Sequence, residues 1–207
     1  MRASDRHLWV ELALALGAGL SLAVGSPFPD QMLLQHAGTV LIAAWAGVGI
    51  ARGDVSAAGT RGRLAFLLLH AFAARWIYSY VPYDDWARAV SGRGISEVFG
   101  WRRNHFDRLV HFLFGVLVAR GAADGYRRKL GGFGGSRRMA VQWVATASLA
   151  YELFEWGLTM VLSPDDAEGY NGQQGDVWDA HKDMAFAVVG SIVWAVGDFA
   201  LSRLRRG

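Results

Sequence analysis

The chain of 207 residues contains no cysteine. That excludes a disulfide, a thiolate metal ligand and a cysteine nucleophile, and it leaves the compartment unreadable from thiols. Other signatures are missing too. No Gly-x-Ser-x-Gly elbow presents a serine nucleophile, no His-Glu-x-x-His pair marks a zinc-protease helix, and no internal repeat divides the chain. The glycine run Gly131-Gly132-Phe133-Gly134-Gly135 lacks the flanking strand and helix of a phosphate-cradling loop. It reads as a flexible basic linker, with contact to anionic lipid as an added role.

What the chain has is apolar bulk: 53% of residues are hydrophobic and only 19% charged. Long apolar blocks alternate with short charged loops. Blocks at about 8–25, 32–51, 64–81, 105–119, 139–162 and 184–201 run from 15 to 24 residues, against the ~20 needed to cross a ~30 Å hydrocarbon core. A lipid environment leaves no water for free backbone groups, so all six are expected to be helices. The expected fold is all-α: one integral-membrane domain over 1–207, a polytopic bundle of six transmembrane helices. The first block could be a signal peptide cut after Ala23-Val24-Gly25. It is read instead as an uncleaved span, because the run is long for a signal core and Pro27 follows closely.

Orientation follows from Lys and Arg. With the N-terminus inside, fourteen of the 21 basic residues fall in inner segments, five in outer ones (Arg88, Arg93, Arg102, Arg103, Lys182), and Arg75 and Arg108 lie within spans. That asymmetry places both termini in the cytoplasm. The net charge of +3 is therefore read as a topology signal, and nucleic acid is not an expected partner.

Several polar residues in the spans have ordinary explanations. Glu11 and Asp198 lie near the inner ends, and Gly17, Gly19, Gly47 and Gly49 suit close helix packing. A second set converges. Asp107, Arg108 and His111 share one face of the fourth helix, Glu152 and Glu155 are one turn apart on the fifth with Tyr151 beside them, and Asp179 and Asp183 are one turn apart on the sixth with Lys182 alongside. Arg75, Tyr78 and His70 face inward from the third. Glu155, His111 and Arg75 each fall about 9–10 Å below the outer surface at ~1.5 Å per residue. The loop Gly172 to Met184 adds Asp176 and Trp178 at the mouth of this group.

Intramembrane charge is costly and is retained mainly at functional sites. Six carboxylates (Asp107, Glu152, Glu155, Asp176, Asp179, Asp183) face three basic residues (Arg75, Arg108, Lys182), so protons or a cation must balance them. The carboxylates are candidate acid–base groups. Arg75, Tyr78, Arg108, Trp178 and Lys182 are candidate substrate contacts, Arg75 and Arg108 as anchors for a phosphate or carboxylate head group. His111, Glu152, Glu155 and Asp183 are candidate ligands for a divalent metal (zinc, manganese or iron), with His105 and His181 at the rim.

The segments His105-Phe106-Asp107-Arg108-Leu109-Val110-His111-Phe112, Tyr151-Glu152-Leu153-Phe154-Glu155-Trp156 and Gly172 to Met184 resemble those of the YjdF-like family of bacterial inner-membrane proteins. The likeness extends over essentially the whole chain and implies a multi-pass protein of the inner membrane, without implying a reaction. The last three spans also resemble, more distantly, the VanZ-like proteins, which implies a cell-envelope or lipid role. The expected function is binding or modification of a lipid or other amphiphilic envelope molecule at an outward-facing intramembrane site. The alternatives are a proton- or cation-coupled transporter and a non-catalytic structural or assembly protein.

Overall fold

The computed structural model describes residues 5–130 and 133–205. Gly131 and Gly132 of the glycine run, and Arg2 and Arg206 of the charge count, lie outside the described residues. Within them the chain is all-helical. Six long helices are α1 (Arg6–Ser21), α2 (Met32–Arg52), α3 (Ala57–Arg75), α6 (Phe106–Leu130), α7 (Phe133–Thr159) and α9 (Asp179–Leu204). Three short ones, α4 (Tyr83–Ser91), α5 (Ile95–Phe99) and α8 (Pro164–Asn171), lie in the polar connections.

Each apolar block read from the sequence lies largely on a long helix, but the boundaries shift. The third block was expected at 64–81, whereas α3 starts at Ala57, where the Ser56 side chain caps Gly59 N–H, and stops at Arg75. Beyond it Ile77 and Tyr78 both take left-handed backbone (φ 40° and 56°), so Tyr78 belongs to a turn and not to the helix. The fourth block, expected to end at 119, continues as α6 to Leu130 because its second half carries Arg120, Asp124 and Arg127, paired on one face. By length and composition alone, two helices among the described residues are long and apolar enough to cross a membrane: α2 with its preceding turn, and α9. The other four are either shorter, as α1 is, or carry charged residues: arginines on α3, and on α6 and α7 the groups on which the site is built.

The pattern of burial is inverted relative to a water-soluble bundle. Leu33, Leu41, Leu153, Trp156, Val193 and Val196 are exposed, while His70, Arg108, Glu152, Asp179 and Asp183 are buried. In water such an apolar surface is a liability; in lipid it is the expected exterior.

α6 is the central helix, packed on α3, α7 and most extensively α9. Its contact with α9 rests on a reciprocal pair of glycines. A Cβ on Gly115 would fall 2.0 Å from the Ala187 carbonyl oxygen, and one on Gly190 would fall 2.0 Å from that of Phe112. Small residues at such crossings let backbones touch. This approach sets the first turns of α6 and α9 side by side. The α3 contact works similarly, with Gly62 against the Leu117 carbonyl. None of these three is among the glycines singled out by sequence, and one that was, Gly17, meets nothing.

Candidate functional site

The site begins where α6 begins. Asn104 accepts from Phe106 N–H (2.9 Å) and donates to the Val81 carbonyl (2.8 Å). The Gln174 side chain, reached through a left-handed residue (φ 51°), binds both Asn104 N–H (2.9 Å) and Asn104 C=O (3.2 Å). The Gly172–Trp178 loop is thereby pinned over the start of α6, next to Asp179 in the first turn of α9.

Two tiers of charge follow. In the upper tier Arg103 bonds both oxygens of Asp179 and the carbonyls of Gln173 (3.0 Å) and Gly172 (3.2 Å). Arg108 bonds Asp176 and Asp179 and donates to His105 Nδ1 (3.0 Å). Lys182 reaches Asp176 at 2.6 Å. The hydrogen bond from Lys182, with others from Trp178 N–H and Arg108, holds the Asp176 carboxyl well below the usual carboxylate range. Three cations thus serve two carboxylates.

The lower tier reverses the ratio. Asp107, Glu152 and Asp183 surround His111, whose Nε2 is 3.6 Å from Asp107 Oδ1 and 3.8 Å from Glu152 Oε1. Asp183 Oδ1 is 4.0 Å from Arg108 Nε. Buried Asp183 Oδ1 and Glu152 Oε1 have no hydrogen-bond partner. Glu155 lies beside Glu152, close to Tyr151 and Tyr170.

Below and beside this tier is a cavity of about 360 Å³ between α2, α3, α6 and α7, lined by aromatic and aliphatic side chains such as Trp45, Phe66, Phe114 and Trp143, with Asp107, His111, Tyr78 and Tyr151 at its polar end. Stacked Trp45 and Trp143 (ring centroids 5.4 Å apart) link α2 and α7.

The sequence-derived residues fall into three groups. Asp107, Arg108, His111, Glu152, Asp176, Asp179, Lys182 and Asp183 are brought together, with Glu155 beside Glu152 and His105 on the rim. Tyr78 reaches the cavity from its turn, its hydroxyl on His70 Nδ1. Arg75, Trp178 and His181 are placed elsewhere. Arg75 donates to the Leu22, Val24 and Gly25 carbonyls (each 2.8 Å), tying down the end of α1, where the last carbonyls lack intrahelical partners. The exposed Trp178 ring packs edge-on against exposed His181. Arg103 is the residue that sequence reasoning missed. It was counted with the outer loops, and only its position one residue before the Asn cap of α6 pointed to the site.

The pattern of a family described as "Predicted membrane protein (DUF2238)" matches residues 8–203. The chain belongs to this family. It is 32% identical over 127 residues to "Inner membrane protein YjdF" of Escherichia coli (strain K12), an alignment covering 58% of this chain and 59% of that protein. The chain thus spans about three-fifths of that relative's length. No solved structure matches. The family membership agrees with the resemblance drawn from the same segments, and it makes this a protein of a membrane family without assigning a reaction.

Proposed function

We propose that this is a multi-pass inner-membrane protein, its six long helices spanning the bilayer and both termini cytoplasmic. Its outward-facing intramembrane site binds or modifies a lipid or other amphiphilic envelope molecule. One observation carries the reading: a cavity of about 360 Å³ is aromatic along its length and ends on Asp107 and His111. Ligand pockets are typically apolar with a few convergent polar groups, and this combination suits one apolar tail and one polar head. Arg108 and Lys182, paired with Asp176 and Asp179 above the head position, supply the positive charge next to it, and Asp107, Glu152, Glu155 and Asp183 are the groups available to move a proton. Asp176 and Asp179 hold the arginines and the loop in place.

A proton- or cation-coupled transporter needs polar groups continuing across the membrane. Phe66, Phe114, Trp45 and Trp143 form an aromatic layer between the carboxylates and the charged residues at the other end of α6, which weighs against a relay.

The test is retention of amphiphile by full-length protein in lipid nanodiscs, read by native mass spectrometry. Wild type is expected to keep a bound amphiphile that Ala147→Phe, a bulkier side chain at a residue lining the cavity, loses while remaining folded. Equal retention by both would refute the reading.

A further inference from the structure

The lower tier is arranged as a ligand set. Resting on the amphiphile-site reading, we propose that Asp107, His111, Asp183 and Glu152 bind one divalent cation of the zinc, manganese or iron(II) type at the head of the cavity.

Asp107, His111 and Asp183 each offer one ligand atom, and the three lie within 4.8 Å of one another. The 3.6 Å and 3.8 Å separations of His111 Nε2 from Asp107 and Glu152 oxygens are too long for hydrogen bonds. They match instead the roughly 3.4 Å between two ligands that each sit ~2.1 Å from one tetrahedral ion. Independent of this spacing, Glu152 Oε1 and Asp183 Oδ1 are buried without a partner, in residues only 7% and 2% exposed. Buried carboxylate oxygens are ordinarily satisfied. The arginines supply little of the missing charge: Arg103 and Arg108 bond Asp176 and Asp179, and Arg108 meets Asp183 only by its edge, Nε 4.0 Å from Oδ1.

The donor chemistry is oxygen and imidazole with no sulfur, which suits borderline and hard cations. The ligands come from α6, α7 and α9, so a single ion would cross-link α7 to the two helices that the glycine crossing brings together. It would also let an anionic head group approach four carboxylates that otherwise repel it, with Arg108 beside it.

The experiment uses full-length protein in nanodiscs, stripped with a chelator and reloaded with zinc or manganese alone. Metal content by inductively coupled plasma mass spectrometry should approach one ion per chain. X-ray absorption should report a nitrogen and oxygen first shell that includes imidazole. Asp183→Asn and His111→Ala should each weaken binding by roughly tenfold or more, while Arg61→Ala binds as wild type does. No ion on reloaded wild type, or a shell of oxygens without imidazole, would overturn the proposal, and neither result depends on a variant folding. The two readings fail separately. Stripped wild type that still retains an amphiphile, but takes up no metal, sinks the cation and leaves the cavity reading standing. Metal at one per chain with no amphiphile retained does the opposite.

Discussion

Asp124 and Asp198, near the C-terminal end of α6, each have two arginines. Asp124 takes Arg120 (3.1 Å) and Arg127 (3.7 Å), plus the Ser56 N–H (3.0 Å) and hydroxyl; Asp198 takes Arg137 (2.7 Å) and Arg120 (3.5 Å). At the other end of the same helix, Asp107, Glu152, Glu155 and Asp183 share one imidazole and the edge of one arginine. Both clusters are largely buried on the same scaffold, so the difference is one of purpose. A network in which each carboxylate is paired holds helices together. A network left short of positive charge is a standing cost that a fold tolerates where a ligand completes it.

The largest expected effect breaks the upper tier. Arg108→Ala leaves the 4% exposed Asp179 with one arginine fewer and removes the cation nearest Asp183. Breaking a buried pair costs about 3–5 kcal/mol. Chemical denaturation in mixed micelles should show a loss of that order, and a change below about 1 kcal/mol would mean that Arg103 alone neutralises the tier. Next comes the crossing that unites the site. Gly115→Val forces side-chain atoms into the Ala187 carbonyl, and overpacking of this kind costs about 1–3 kcal/mol or more. It should lower stability and metal uptake together.

Much of this was legible in the sequence. The apolar blocks located the long helices because lipid-facing surfaces need continuous hydrophobicity. The periodicity of Asp107, Arg108 and His111, and of Asp179 and Asp183, placed them on shared faces because a helix repeats regularly. What could not be read lay in the connections. Arg103 and Gln174 depend on a loop conformation that only the docked helices define. Arg75 looked like a site arginine, yet its partners are backbone carbonyls, which carry no signal in side-chain type. Gly62, Gly115 and Gly190 matter because of which helices cross there, and spacing within one helix does not reveal that.

The folded Asp176 carboxyl titrates below its unfolded value. Its stabilising contribution is therefore complete above about pH 4 and shrinks as pH falls further. The unfolding free energy that Asp176, bonded by the backbone N–H of Trp178 (3.1 Å), adds to the protein should stay constant from pH 7 to 5 and fall below pH 4. Asp176→Asn should abolish that change, and a transition near pH 6 would contradict the assignment. The smallest effect belongs to the exposed Arg61–Glu11 pair (2.8 Å). Exposed pairs contribute little, and Arg61→Ala should leave the melting temperature unchanged within error.

The most direct test sets one carboxylate from each end of α6 against the other. Asp183→Asn and Asp124→Asn remove the same charge from positions that are both nearly inaccessible (2% and 7% exposed), and both are measured for unfolding free energy in metal-free bilayers. The account predicts that Asp183→Asn is at least as stable as wild type, because it relieves uncompensated charge. Asp124→Asn should lose about 1–3 kcal/mol, since hydrogen bonds to a charged group are given up. Equal destabilisation by the two substitutions would mean that the carboxylates around His111 are structural partners like those at the far end, and the site as described here would not exist.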